Sequence, residues 1–312
     1  MELKHRATIE FSMPEPFNFE LTVHKPAGWH WSTPAEIFNK SIFWSGIFFD
    51  GKPIGLKMQS AGLLVRADIF NKATEKMPDL SRLEKQLYKA LGADEDLAGF
   101  YEFAKSEPVL DEVVTRLRGM RMGRNDNLFG QVILAICLQM TPLKRSRQMM
   151  GLLLKEFGTQ LHFDKHQTIL WPCPEDIARL SPALLREKAR LGYRAERLLA
   201  AAKYLVKKPV AAQQLDALPD KEARKLVMEI PGIGGYSAGI ILGRSEVPVD
   251  SWSLIILSEL IYGKSPVKGR SGIPALNELI NKRWGKWGWL AFAYIVNDLP
   301  FLARKYHLSR IY

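Results

Sequence analysis

The residue best placed to do chemistry is Asp250, which stands in the sequence VPVDSWS. It directly precedes Ser251, Trp252 and the apolar segment SLIILSELI, so the sequence predicts that it caps the N-terminus of a helix. Backbone N–H groups at such a position would keep its carboxylate ionised. The carboxylate can serve only as a cap, or it can also face a positive charge that develops in a neighbouring pocket. The two roles are compatible.

A glycine-rich turn, PGIGG, lies upstream of this aspartate. A helix rich in Leu, Val and Met is predicted to stop at Pro231, and a second helix to start near Tyr236. Gly232 and Gly234 can adopt positive φ, so successive N–H groups can face an anion, aided by the positive end of the second helix. The alternative is a tight turn that merely connects two packed helices. The predicted phosphate-binding residues are Gly232, Gly234, Gly235 and Ser237.

The composition agrees with a polyanionic partner. The 312 residues include 44 Lys and Arg against 33 Asp and Glu, a net charge of +11, which attracts nucleic acid or an anionic membrane surface. No apolar run reaches the roughly 18 to 20 residues that cross a bilayer, and the N-terminus lacks a signal-peptide pattern. We therefore expect a cytoplasmic, nucleoid-associated protein. Two cysteines are too few for a disulfide framework or a four-cysteine iron–sulfur cluster.

The elements that must position these residues follow from periodicity. Residues 1–75 are predicted to form an N-terminal antiparallel β domain, because short apolar runs at Phe17–Val23, Ile42–Phe49 and Leu63–Ile69 alternate with turns such as Asp50-Gly51. Beyond this region, apolar residues recur three and four apart, as in LSRLEKQLYKAL and NLFGQVILAICLQM. The fold class is therefore α+β, with a β domain followed by a mostly α-helical core.

The segment LVMEIPGIGGYSAGIILGRSEVPVD resembles the hairpin and following aspartate of the helix-hairpin-helix (HhH-GPD) DNA glycosylase superfamily. Four further segments are similar in the same order: FYEFAKSEPVLDEVVTRLRGMR, LFGQVILAICLQMTPLKRS, LGYRAERLLAAAKYL and RWGKWGWLAFAYIVNDL. The similarity is greatest to the 3-methyladenine DNA glycosylase II and 8-oxoguanine glycosylase branches. It implies a two-lobed core, with one lobe from 76–118 and 251–312 and the other from 119–250, including the hairpin at 226–242.

The resemblance implies base-excision repair, in which a damaged base is flipped out of double-stranded DNA and its N-glycosidic bond is hydrolysed. Asp250 would stabilise the oxocarbenium-like sugar or orient the attacking water. Strand-nicking members carry a Schiff-base lysine where this chain has Tyr236, so we expect a monofunctional glycosylase without AP-lyase activity. Alkylated purines are the favoured substrates, because a cationic base leaves readily. The alternatives are an 8-oxoguanine or mismatch glycosylase, and a non-catalytic helix-hairpin-helix DNA-binding protein.

The resemblance also implies further site residues. Met140, preceded by Gln139, matches the wedge that fills the gap left by the flipped nucleotide; otherwise Met140 would be a core residue. The implied base pocket contains Tyr236, Trp252, Tyr294 and Val296. The backbone carbonyls of Met228, Ile230 and Ile233 are implied to hold a sodium or potassium ion.

No cofactor and no iron–sulfur cluster are required under this interpretation. The expected partner is double-stranded DNA that contains a damaged base; no membrane partner is expected, and the protein should be a monomer. One departure from the superfamily is the connection from Tyr236 to Asp250, which is several residues shorter than in well-known members.

Overall fold

The computed structural model describes residues 1–123, 127–244, 247–263 and 273–308. The strands are β1 (Lys4–Ser12), β2 (Ile37–Asn39), β3 (Ile42–Phe49), β4 (Lys52–Ala61), β5 (Leu64–Asn71), β6 (Thr159–Phe163) and β7 (His166–Leu170). The first eight helices are α1 (Phe19–Val23), α2 (Leu80–Ala90), α3 (Leu97–Ala104), α4 (Pro108–Arg116), α5 (Leu128–Leu138), α6 (Leu143–Phe157), α7 (Pro174–Ala178) and α8 (Pro182–Ala189). The remaining helices are α9 (Arg194–Lys207), α10 (Ala212–Ala217), α11 (Asp220–Met228), α12 (Gly235–Leu242), α13 (Ser251–Tyr262), α14 (Ile273–Trp284), α15 (Gly288–Asn297) and α16 (Leu299–Tyr306), with a 3-10 turn at Gly285–Trp287.

The N-terminal sheet is antiparallel throughout, in the order β1-β5-β4-β3-β2. Asp50 and Gly51 join β3 to β4 with φ values of +49° and +73°, the positive φ angles that a two-residue hairpin turn requires. The predicted α+β fold class, with a sheet followed by a mostly helical core, is confirmed.

One predicted strand is wrong. Phe17–Val23 does not extend the sheet, because Phe19–Val23 forms the short helix α1. The side chain of Asn18 caps it by accepting the Leu21 N–H at 3.0 Å, a local bond that competes with the extended conformation. Phe19 and Val23 are its buried apolar residues, and their spacing of four fits one turn of helix better than a strand.

The sheet is covered on both faces. α2 contributes Leu83 and Leu87 to the apolar core that lies between this helix and the sheet. The hairpin of β6 and β7, which the sequence reading did not identify, packs Leu161 and Phe163 on the other face. Gly55 permits this approach, because a Cβ there would lie 2.8 Å from the Phe163 ring. The β6–β7 hairpin thereby ties the sheet to the helical part of the chain.

The helical part is built on one continuous apolar core. α5 packs against α6, α9 and α12, while α11 packs against α12. α15 packs against α4, α14 and α16. Among the described residues, no helix is long and apolar enough to cross a membrane. Most of the predicted site residues lie on element ends, at the end of α5, in the turn between α11 and α12 and at the start of α13, whereas Tyr294 and Val296 lie within α15.

Candidate active site

The turn between α11 and α12 forms the hairpin that the sequence predicts, although the two helices are bounded at Met228 and Gly235. Gly232 has φ +85°, in the left-handed region that favours glycine. Gly234 differs from the prediction, because its φ of −101° and ψ of −175° are extended. The left-handed step of the turn is therefore made by Gly232.

Backbone N–H groups at the start of α12 supply the predicted anion-binding chemistry. The first hydrogen bond of the helix runs from the Ala238 N–H to the Gly234 carbonyl at 2.9 Å. Within the described ranges, no protein acceptor takes the N–H groups of Gly234, Gly235, Tyr236 and Ser237. Such groups at a helix N-terminus attract anions. The phosphate-binding role of this turn remains a prediction that the geometry fits.

Ser237 differs from the expected phosphate ligand in one respect. Its side chain is only 3% exposed, and its hydroxyl accepts a hydrogen bond from Gln139 Nε2 at 3.1 Å. The hydroxyl is therefore engaged inside the protein, and only the backbone N–H of Ser237 remains for an anion.

A basic groove adjoins the hairpin on α11. It has a volume of about 350 Å³ and is lined by Lys221, Arg224, Lys225, Met228 and Glu229. The Arg224 guanidinium also donates to the Gly235 carbonyl at 3.1 Å. Positive charge is thus placed beside the N–H groups of the turn, where it adds to their attraction for a polyanion.

Asp250 caps α13, as the sequence predicts. Its Oδ1 accepts the N–H groups of Trp252 at 3.0 Å and Ser253 at 2.8 Å, and the Ser253 hydroxyl at 2.9 Å. The same hydroxyl accepts the Asp250 N–H at 2.7 Å, which completes a capping box. No partner for Oδ2 occurs among the residues that the structure describes. One oxygen therefore fixes the carboxylate, and the other is available.

The segment before Asp250 is held rigidly against the hairpin. Val247 and Val249 are buried, and Pro248 packs on α12, where a Cβ on Gly239 would lie 3.1 Å from the Pro248 Cβ. This close approach lets a short connection bring Asp250 beside the second hairpin helix. Ser245 and Glu246 of that connection lie outside the described residues.

Tyr236 and Trp252 are the two predicted pocket residues that lie on the helices next to this carboxylate, at the starts of α12 and α13. Burial, and then the negative charge of Asp250, raise the pKa of the Tyr236 phenol, so the phenol is neutral. Trp252 follows Asp250 in the first turn of α13, and 37% of its surface is exposed. An aromatic wall and a fixed carboxylate therefore occupy one region of the surface.

Tyr294 and Val296 are not brought to that surface. Tyr294 is fully buried; its hydroxyl donates to the Met120 carbonyl and lies 3.0 Å from the Tyr101 hydroxyl. Val296 is also buried in the core. Both side chains pack in the core of this structure. Within the described part of the chain, no contact with Asp250 supports their predicted place in the base pocket.

The predicted wedge lies at the end of α5. Met140 is 74% exposed and has φ +49°, so it is not the core residue that the alternative interpretation required. Gln139 differs from a residue that faces DNA, because its side chain is bonded to the hairpin: Nε2 donates to the Gly232 carbonyl at 2.8 Å. The structure thus brings Met140, the predicted wedge, and the hairpin together.

The predicted cation site consists of three main-chain oxygens in the hairpin. The Ile230 carbonyl accepts the Ile233 N–H at 3.1 Å, which leaves it a second lone pair. Neutral carbonyl oxygens suit hard cations such as sodium and potassium. The donors from Met228, Ile230 and Ile233 therefore fit a monovalent ion by type, and its binding remains a proposal.

Three further residues of this region, at the start of α9, were not predicted from the sequence. The Tyr193 ring lies against the guanidinium groups of Arg194 and Arg197, at 4.5 and 4.7 Å. Arg197 NH1 donates to the side-chain oxygen of Gln139 at 2.5 Å. The signal that could have found them is the GYRAER segment, where two arginines spaced three apart share one face of a helix.

The chain therefore has a helix-hairpin-helix next to a helix-capping aspartate, on a core preceded by an antiparallel sheet. No protein-family model matches the sequence. The chain is 23% identical over 218 residues, 68% of its length and 70% of the relative's, to the DNA-3-methyladenine glycosylase of Bacillus subtilis (strain 168).

Two solved structures are similar over nearly the whole chain. A 3-methyladenine DNA glycosylase from Archaeoglobus fulgidus gives a TM-score of 0.71 at 16% identity, covering 93% of this chain and 98% of that one. The 8-oxoguanine glycosylase/lyase of Clostridium acetobutylicum, in complex with double-stranded DNA containing cytosine opposite 8-oxoguanine, gives 0.72 at 15% identity, covering 97% and 99%. The predicted resemblance to helix-hairpin-helix glycosylases is confirmed, and the chain has the fold of these two solved structures.

Proposed function

We propose that the chain is a DNA glycosylase that removes a damaged base from double-stranded DNA by hydrolysis. The observation that carries this proposal is the Asp250 carboxylate. A DNA-binding hairpin alone needs no carboxylate beside it, yet Asp250 is fixed through Oδ1, and no residue in the described part of the chain bonds its Oδ2. The similarity to a DNA-3-methyladenine glycosylase supports the same activity.

The chemistry follows from that placement. As the bond between the base nitrogen and the sugar C1′ breaks, the base leaves with the electron pair and the sugar becomes oxocarbenium-like. The Asp250 carboxylate stabilises this positive charge electrostatically. Water then adds to C1′ and loses a proton to solvent or to the departing base, which leaves an abasic site. Tyr236 serves as a neutral aromatic wall beside the extruded base.

The proposal includes a monofunctional enzyme. A lyase needs an amine nucleophile in the pocket, and the position where strand-nicking members carry a lysine is Tyr236. Lys221 and Lys225 lie on α11, where they line the basic groove outside the turn. We therefore assign the nucleophile to water, although one protein of this fold is named a glycosylase/lyase.

Alkylated purines are the proposed substrates. A cationic base leaves without strong protonation, so a single carboxylate suffices. Binding is proposed to use the N–H groups of the hairpin and the α11 groove for the phosphates, and Met140 for the duplex gap. A sodium or potassium ion on the hairpin carbonyls would add positive charge at the same backbone.

The test is a set of duplexes that each carry one lesion, incubated with the enzyme with and without later alkaline treatment. Release of 3-methyladenine, with strand breaks only after alkali and no adduct trapped by borohydride, is the expected result. Release of 8-oxoguanine alone would overturn the substrate assignment. Efficient trapping of a protein–DNA adduct by borohydride would overturn the monofunctional assignment. If no base were released from any duplex, the alternative of a non-catalytic DNA-binding protein would be favoured.

A further inference from the structure

Gln139 joins three elements that a duplex would contact. Its Nε2 donates to the Gly232 carbonyl at 2.8 Å and to the Ser237 hydroxyl at 3.1 Å, while its Oε1 accepts from Arg197 NH1 at 2.5 Å. These partners fix the orientation of the amide, since a flipped amide would place its NH₂ group against the guanidinium. The side chain therefore links the end of α5 to the hairpin turn and to α9.

The backbone of Gln139 is held from the same side. Its carbonyl accepts hydrogen bonds from the Arg194 guanidinium and, at 3.4 Å, from the Tyr193 hydroxyl. The Arg197 stem also packs on the hairpin, because a Cβ on Gly232 would lie 3.0 Å from the Arg197 Cβ. Residues at the start of α9 thus form hydrogen bonds with both the backbone and the side chain of Gln139.

These hydrogen bonds explain the conformation of the next residue. Met140 has φ +49° and is 74% exposed. A left-handed backbone is unfavourable for a residue with a side chain, and an exposed methionine gains little burial to offset that cost. The conformation therefore has to be imposed by the surrounding structure, and the bonds to Gln139 are contacts that help to impose it.

We propose that Arg197 is a positioning residue for base extrusion, which acts by clamping Gln139 so that Met140 stays projected toward the duplex. The inference rests on the proposed function and assigns Gln139 to this clamp, not to contact with DNA. When Met140 inserts into the base stack, the neighbouring bases press against its side chain. The hydrogen bonds of Gln139 keep Met140 in place, because they connect it to the hairpin turn that binds the phosphate backbone.

The clamp should matter for opening the base pair and not for breaking the glycosidic bond. Arg197→Met removes the guanidinium but retains much of the side-chain stem, and Lys203→Met removes an exposed charge further along the same helix as the matched control. Single-turnover base release is measured with two duplexes that carry the same lesion. In one duplex the damaged base is paired with its normal partner, and in the other it lies opposite an abasic site and is already unpaired. The loss of a charged hydrogen bond predicts roughly 10-fold slower release from the paired duplex and a change within about 2-fold from the unpaired one.

A second variant keeps the clamp distinct from a loss of positive charge. Gln139→Met is neutral, yet it can neither donate to the Gly232 carbonyl nor accept from Arg197, so it should show the same selective loss. Lys203→Met should release the base at the wild-type rate from both duplexes. Equal losses on paired and unpaired duplexes for Arg197→Met, or unchanged release from the paired duplex for Gln139→Met, would overturn the clamp.

A measurement that does not depend on base release tests the positioning role of Arg197 separately from the proposed function. The fluorescence of 2-aminopurine next to the lesion rises when the stack opens, whether or not the base is released. The wild-type protein should raise it, and Arg197→Met should raise it clearly less at saturating protein. An equal rise in fluorescence with both proteins contradicts the clamp even if base release is observed. A smaller rise with Arg197→Met than with the wild type, but no base release, contradicts only the glycosylase activity.

Discussion

Gly232→Ala is expected to weaken both the fold and DNA binding, because it strains the turn that presents the N–H groups. Gly232 has φ +85°, and an alanine in the left-handed region costs roughly 1 to 2 kcal/mol. Its Cβ would also lie 3.0 Å from the Arg197 Cβ, so the backbone must shift. If that shift removes one N–H from a phosphate, the loss is about 1.5 to 3 kcal/mol, or roughly 10- to 100-fold in affinity.

Gly62→Ala is the matched control. Gly62 has φ +61°, with open space where a Cβ would be, and it lies in the turn between β4 and β5, away from the hairpin. It should lose a similar part of the free energy of unfolding through backbone strain alone. Its affinity for DNA should not change.

The assays are urea denaturation for stability and fluorescence anisotropy with an undamaged duplex for affinity, at one salt concentration because phosphate contacts depend on salt. If Gly232→Ala binds the duplex as tightly as Gly62→Ala, the hairpin is not the phosphate-binding element. The role assigned to its N–H groups would then be wrong.

Three further outcomes test the site and its surroundings. Ser253→Ala removes the hydroxyl bonded to Asp250 at 2.9 Å and should slow base release about 10-fold in single-turnover kinetics, by freeing a carboxylate that a charged hydrogen bond had fixed. Tyr236→Phe should leave that rate nearly unchanged up to pH 9, because burial already raises the pKa of the phenol and the ring is retained. Burial raises the pKa of Glu36 to about 7, above its value in the unfolded chain. The protonated side chain therefore makes its full contribution to the free energy of unfolding at low pH, and this contribution is lost as the pH rises through 7. Urea denaturation between pH 5 and 8 should therefore show a steeper decline for the wild type than for Glu36→Gln, and parallel curves would contradict the raised pKa.

The hairpin turn and the capping aspartate could be predicted from the sequence because each depends on local chemistry. A glycine at positive φ and an aspartate before a helix leave signatures within a few residues, so Gly232 and Asp250 lie where the pattern indicated. The sheet was predicted for the same reason, from alternation and the Asp50-Gly51 turn. The prediction of Met140 as a wedge came from the family resemblance, since the apolar pattern alone indicated a core residue.

The remainder depends on contacts between distant residues. The alternation at Phe17–Val23 could not reveal that the Asn18 side chain would cap a helix, and Tyr294 gave no sign that it would be buried against Tyr101. The bond from Gln139 to Gly232 joins positions 93 residues apart. Such pairings follow from packing, which periodicity along the chain does not encode.

The most direct test of the account is Asp250→Asn. Asparagine can still accept the Trp252 and Ser253 N–H groups through its side-chain oxygen and cap α13, so the fold and the affinity for an abasic-site duplex should be retained while the negative charge is lost. The measurement is single-turnover release of an alkylated purine by the two proteins at equal occupancy of the DNA. A fall of about 100-fold or more is predicted for the loss of one electrostatic group in the transition state. Release within about 3-fold of the wild-type rate, far less than such a loss predicts, would contradict a catalytic role for Asp250.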